Sequence, residues 1–522
     1  MTTLKQENHA DVPFSPSVLE ETTIQCVDDT FQVGLARVAD SLSPILESFQ
    51  DVALLNGFHY FQGDASPEEL IQASSIAKSI VQFTLTDFPE KADHRVKTGT
   101  IIRLVQLLSS VMQGPLFPNL AHLRINRAES SADQLNMFLS PSMKKLELIS
   151  IACDRQEELS VFLKILAVVA QGMECLTLRG FTQEGPMLAS LQFKQLLHLE
   201  INGSAPISFS FLEDVGRLPS LKSFHLHAEN PIYTVHSNPA SGSHAAGTNL
   251  FLQLSKLHII ARHEIVRDLL EVVPIGVLCD ISLTFSWPKG ESSQTSTASK
   301  NSKGAKTSST ANVSGTVESV SGIIESALRK WRETLVSVGI NAPENSSYPA
   351  VLSPTILSLL MNLNLQQLKI SGWGIHSSFD IVDTVLKTKG LNLQALHLPN
   401  KQNTLVTLPQ LTELAEGFHS LVELRCTLDL GVLSDESKPI YFPKDPLSHP
   451  LKALQVGTTL PVSIAQLLPL ARFIDYLFPN VEKLDMVSED DGKLLKALVR
   501  LCQDARKDEV LRISFPSGEE AK

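Results

Sequence analysis

The sequence is poor in several things that mark common protein classes. It has six cysteines in 522 residues (Cys26, Cys153, Cys175, Cys279, Cys426 and Cys502), and no two form a C-x-x-C pair. This excludes a disulfide scaffold, a zinc ribbon and a thioredoxin-type redox motif, and fits reduced thiols in the cytoplasm or nucleus. Positive charge is scarce: Lys and Arg number 44 against 56 Asp and Glu, giving a net charge of −12. Nucleic acid and anionic membranes reward the opposite balance, so neither is expected as a partner. Long apolar runs are missing too. The longest, LSVFLKILAVVA, is too short to span a bilayer and is broken by Lys164. The opening residues, MTTLKQENHADVPFSPS, lack a charged-then-apolar secretion pattern.

Catalytic motifs are equally thin. HEIVR at 263–267 starts like the zinc-protease H-E-x-x-H helix, but Arg267 stands where the second histidine is required. GSHAAGT at 242–248 lacks the lysine of a phosphate loop, and neither G-x-G-x-x-G nor G-x-S-x-G occurs. Asp490 and Asp491 are adjacent carboxylates in a polar stretch. The expectation is a protein that is not an enzyme and holds no cofactor or metal.

Leucine is what the chain has in abundance, and it is patterned. The template L-x-x-L-x-L appears as Leu120/Leu123/Ile125, Met143/Leu146/Leu148, Met173/Leu176/Leu178, Leu196/Leu199/Ile201, Leu221/Phe224/Leu226, Leu254/Leu257/Ile259 and Leu278/Ile281/Leu283. It resumes as Leu335/Val338/Ile340, Leu365/Leu368/Ile370, Leu393/Leu396/Leu398, Leu421/Leu424/Cys426, Leu451/Leu454/Val456 and Val481/Leu484/Met486. Weaker copies sit at Ile80/Phe83/Leu85 and Val510/Ile513/Phe515. Successive first positions are 23, 30, 23, 25, 33, 24, 57, 30, 28, 28, 30 and 30 residues apart. These are long, uneven leucine-rich units, and the 57 is one unit plus an insertion.

Each alternating triplet reads as a half-buried strand. Between triplets lie helical patterns, at 157–170, 263–273, 463–477 and from Val317 to Leu335, where Val317, Val320, Ile324, Ala327, Leu328, Trp331 and Leu335 share one face. Strand followed by helix, repeated, requires parallel strands joined by crossovers. The predicted fold is therefore α/β: a leucine-rich-repeat (RNI-like) solenoid, a curved parallel sheet with helices on the convex side. A single unit buries too little to offset its ordering entropy, so the units must stack. The solenoid is expected over 77–515, after a loose N-terminus and helical cap at 1–76 and before a tail at 516–522. Ser66-Pro67-Glu68-Glu69 has the residues of a capping box that opens a helix in that cap. The Ser/Thr-rich segment 289–316 has almost nothing to bury and is expected to be disordered, and 230–249 is a second polar excursion.

The residues between the leucines point to the concave face. Its middle column reads Arg124, Glu147, Thr177, Glu200, His225, His258, Ser282, Gly339, Lys369, His397, Arg425, Gln455 and Asp485, with His122, Lys145, His198, His227, Lys256, Asp280, Glu423 and Lys483 on its flanks. With strands about 4.8 Å apart, Glu200, His225 and His258 should fall on consecutive rungs. That constellation admits three readings: a solvated polar face, a pH-sensitive contact patch, or a two-histidine, one-carboxylate metal centre. The candidate partner-binding residues are His198, Glu200, His225, His227, His258, Lys369, His397 and Arg425. Trp373, at a turn in SGWG, either anchors a partner or packs inside.

The pieces SPEELIQASSIAKSIVQFTL, LFPNLAHLRI, MFLSPSMKKLEL, LPSLKSFHL, ALRKWRETLVSVGI, HPLKALQVG and LFPNVEKLDM occur in an order that resembles the leucine-rich-repeat region of the F-box proteins of mushroom-forming fungi, over roughly residues 66–515. No recognisable F-box accompanies them: the first tryptophan is Trp287, and no L-P-x-E start precedes the array. The resemblance implies the fold and a recognition surface for a protein partner. It leaves the link to a cullin ubiquitin ligase uncertain. The sequence thus points to a non-catalytic interaction scaffold, with a metal-dependent or pH-sensitive site at Glu200/His225/His258 and a decayed family member as alternatives.

Overall fold

A computed structural model describes residues 37–39, 42–55, 58–61, 63–86, 95–96, 98–126, 135–150, 156–228, 250–286, 309–342, 351–388, 392–400, 404–431, 447–458, 462–486 and 488–514. The first 20 residues, the excursion at 230–249, residues 289–308 of the Ser/Thr-rich segment and the tail at 516–522 lie outside them.

The strands form one sixteen-stranded sheet that follows chain order, with Leu405–Thr407 paired off the main path. Every pairing in it is parallel. The sheet stays open and curves as a solenoid, with the helices on its convex side. Register is simple: the template positions of one unit face the same positions of the next. Leu123 pairs with Leu146, Leu146 with Leu176, and Leu199 with Phe224. All thirteen strong triplets, from Leu120/Leu123/Ile125 to Val481/Leu484/Met486, are buried. A one-residue slip would turn each leucine to water and each polar neighbour inward, which pins the register.

A hydrogen-bond ladder runs along the lip of the sheet. The carbonyl of Ala121 accepts from the N–H groups of both Lys144 (2.8 Å) and Lys145 (2.9 Å), and the carbonyl of Lys144 accepts from Glu174 and Cys175 in the same way. The pattern repeats through the carbonyls of Glu174, Leu197, Lys222, Ser255, Cys279, Val336, Gln366, Gln394 and Val422 to Lys452, which accepts from Glu482 and Lys483. These carbonyls belong to the residue just after the first apolar template position. The repeat is therefore a backbone register as well as a spacing of leucines.

Helices close the units from behind. Gln156–Val169, His263–Val272 and Ile464–Leu477 occupy the predicted helical stretches. Sequential helices lie against one another, as in Gln156–Val169 on Glu184–Ser190 and His263–Val272 on Ser309–Lys330. In the last of these Val320, Ile324, Ala327 and Leu328 are buried, followed by Trp331 and Leu335, and Trp331 Nε1 donates to the Pro274 carbonyl at 2.7 Å. Trp373 is fully buried and meets Phe285 edge-on at 6.2 Å, so it is a core residue and not a partner anchor. Its neighbour Gly372 has φ +72°, and a Cβ there would sit 1.9 Å from the Ala342 carbonyl oxygen. Only glycine permits that approach.

The structure departs from the sequence reading at three places. The N-terminal cap is not purely helical. The capping box of Pro67–Ser79 is present, with Ser66 and Glu69 exchanging hydrogen bonds. Before it, however, Val52–Leu55 pairs antiparallel with Phe58–Phe61, and Arg37–Ala39 adds a parallel strand beside Ile80–Thr86. The solenoid sheet therefore begins before residue 77. The hairpin signal, Asn56-Gly57 between two β-rich runs, was present, whereas a three-residue strand carries no triplet to detect. Second, residues 309–316, expected to be disordered, form the start of Ser309–Lys330. Third, the weak copy at Val510/Ile513 is helical, part of Glu489–Ser514. That stretch is rich in strong helix formers, and it covers the last described strand, burying Leu495 and Val499.

Candidate functional site

The outward residues of the sheet alternate with the buried leucines. Lys145–Ile149, His198–Gly203 and Asp280–Phe285 all begin half-buried, buried, half-buried, buried. The result is one polar wall across the sheet.

The expected rungs are formed. Glu200 pairs with His225, and His225 with His258. The two imidazole rings meet edge-to-face with centroids 5.3 Å apart. Glu200 turns the other way: its Oε1 lies 2.6 Å from Nε of Arg179 on the preceding strand, Cys175–Phe181. His198 and His227 flank the column, in register with Ser223 and with Asn202 and Ile260 respectively.

Burial sets the protonation of this group. Burial, joined by the charge of neighbouring His225, lowers the pKa of His258 to about 4 against the opposing charges of Asp280 and Glu200. Burial also lowers His225, opposed by Glu200, and lowers His198, helped by Lys256 and Lys222. The imidazoles are therefore neutral at neutral pH. Among the described residues no group of three or more His, Cys, Asp and Glu is arranged to hold a metal ion. Glu200 is instead committed to Arg179, so the structure does not assemble the metal centre that the spacing allowed.

The remaining candidates form a second group further along. From His258 the column passes through Ser282 and Gly339 to Lys369, His397 and Arg425. A Cβ on Gly339 would lie 2.9 Å from Ser282 Oγ, so these two small residues make a low saddle between the groups. His397 is buried, and its Nε2 sits 2.8 Å from Glu423 Oε1, while Lys369 Nζ is 3.9 Å from the other carboxylate oxygen. The bond from His397, with Lys369 and Lys483 nearby, holds the Glu423 carboxyl below its usual range despite burial. His397, expected as a contact residue, is thus a brace within the wall. Lys369 and Arg425 stay half-buried at its surface.

A third group was not among the candidates. Glu147 Oε1 is reached by His122 Nε2 at 3.0 Å and Lys145 Nζ at 2.8 Å, and Arg124 lies 3.8 Å from Oε2. Burial alone would raise this carboxyl, but the bonds and charges of His122 and Lys145 outweigh it and hold it at about 2. The signal was available in the aligned repeats, where a mid-column glutamate has cations on its own and the preceding rung.

Cys426, at a leucine position, is fully buried, which pushes its thiol up to about 12. No helix among the described residues is long and apolar enough to cross a membrane. No protein-family model matches the chain, and no curated protein matches it.

Proposed function

We propose that the protein is a non-catalytic interaction scaffold that binds a protein partner across the polar wall of its sheet. One observation carries this reading: a long open sheet presents a column of mostly half-buried polar and charged side chains, lowered only at the Ser282–Gly339 saddle and held in register by the leucines beneath. Such a wall recognises by shape and many modest contacts. Its charged groups are braced by one another, as in Glu147 with Lys145 and Glu423 with His397, which fixes their positions before a partner arrives.

Affinity capture from native lysate tests this, using wild type and a Lys369→Glu/Arg425→Glu double variant of unchanged melting temperature. The expected result is one stoichiometric partner, lost with the double variant. Capture that is indifferent to the substitution would place binding elsewhere and remove the reading. The resemblance to F-box proteins adds a finer proposal, a substrate-recognition subunit of a ubiquitin ligase, which recovery of a cullin in the same experiment would support.

A further inference from the structure

We infer that the N-terminal rungs of the wall form a docking surface for an acidic, carboxylate-bearing peptide segment, an inference that rests on the scaffold reading above. The argument begins with which member of each ion pair faces water. Around Glu147 the carboxylate side chain is 14% exposed, whereas Arg124 and Lys145 keep 38% and 34% of theirs. Two strands further on, Glu200 is 26% exposed, and its partner Arg179, on the strand between, 43%. In both pairs the carboxylate lies beneath and the cation stands outermost.

The stoichiometry points the same way. A single carboxylate, Glu147, is shared by Arg124, Lys145 and His122. Oε1 takes both His122 and Lys145, and Arg124 Nε donates to Asn126 Oδ1 at 3.2 Å, yet the guanidinium and ammonium groups together carry more N–H donors than these contacts use. A partner approaching these rungs meets donors and positive charge first, because the carboxylates lie beneath the cations. The rest of the molecule sharpens the contrast. The chain carries a net charge of −12, so a locally cationic stretch stands out against it and steers an acidic segment toward these rungs. Carboxylates on an extended peptide match the bidentate geometry of Arg124 and Arg179.

The test uses a fluorescein-labelled peptide of alternating glutamate and serine, with lysine–serine, glutamine–serine and phosphoserine peptides and a single-stranded RNA as comparators, followed by anisotropy with the full chain. The glutamate peptide should bind, more weakly as salt rises, and the others should bind less. Arg124→Gln and Arg179→Gln should each weaken it about three- to five-fold at unchanged melting temperature. Arg124→Lys should restore part of the loss, and Arg329→Gln, on the exposed side of Ser309–Lys330, should have no effect. Equal binding of the glutamine peptide, equal loss with Arg329→Gln, or preference for the phosphopeptide or RNA would each overturn the inference. If the acidic peptide fails while the lysate partner is still captured and still lost with Lys369→Glu/Arg425→Glu, only this docking surface falls. If capture fails as well, the scaffold reading falls with it.

Discussion

Acidification should weaken this fold from pH 6.5 downward, and His258 supplies the leading contribution. Its imidazole has an ordinary value of 6.5 when the chain is unfolded and about 4 in the folded sheet, where burial and His225 disfavour the charged form. Between those values the unfolded chain binds a proton that the fold refuses. Stability is therefore complete above pH 6.5 and declines as pH falls toward 4, the direction required for a lowered histidine. At 1.36 kcal/mol per unit, this one group costs at most about 2 kcal/mol at pH 5 and about 3 kcal/mol below pH 4. His225 and His198 shift in the same direction and add to the loss. Glu147 acts lower: its carboxyl is held at about 2, so its contribution is lost only as pH falls below 4.5. The two windows overlap only between about pH 4.5 and 4. Urea denaturation at pH 7 and pH 5 should show the loss in wild type, and His258→Gln should remove about 2 kcal/mol of the difference. Hydrogen exchange should place the weakening in Ser223–Ala228 and Lys256–Ala261, since each unit of a solenoid depends mainly on its neighbours. An identical pH 7 to pH 5 loss in His258→Gln would refute the assignment.

Three further outcomes follow from the packing. Leu257→Ala, which empties a fully enclosed template position, should cost about 2–5 kcal/mol in chemical denaturation, whereas Thr177→Ala on the wall should change stability by less than about 0.5 kcal/mol. Arg506 pairs with Asp475 at 3.0 Å and donates to the carbonyls of Asp475 and Pro479. Arg506→Ala should leave the Asp475 carboxylate buried alone and cost about 3 kcal/mol, with early exchange in Glu489–Ser514. In native protein iodoacetamide should label exposed Cys279 readily and leave Cys426 untouched until unfolding. Prompt labelling of Cys426 would contradict its burial.

The solenoid was legible because its signal is redundant. Thirteen triplets state the same template, and an error in one leaves the others in place. The ends were less legible because each occurs once: Arg37–Ala39 has no repeat to compare with, and Val510/Ile513 matches the template by composition while its neighbours favour a helix. The rungs of the site followed from the period as well, which is why Glu200, His225 and His258 lie where the spacing put them. Side-chain direction did not follow. Glu200 turning to Arg179, and His397 sinking onto Glu423, depend on rotamers and burial, which a column of letters does not carry. The Glu147 group shows the same limit from the other side. Its members were read as wall residues, but a shared carboxylate is a relation between neighbouring strands.

The same architecture separates what holds the chain together from what the wall displays. The paired N–H groups on each lip carbonyl and the buried triplets need nothing from the outward side chains, so most of those can be exchanged at little cost in stability. Glu147 and Glu200 are exceptions, because each carboxylate binds cations of its own or an adjacent strand and keeps them raised toward solvent. Removing one of these acids would therefore do two things at once: free the cations it positions and strip the countercharge beneath them. Removing a cation above it exposes an acid that is already half-buried. An acidic partner of the kind proposed would feel the first change as a looser grip and the second as repulsion, so these half-buried carboxylates would act on its binding without touching it.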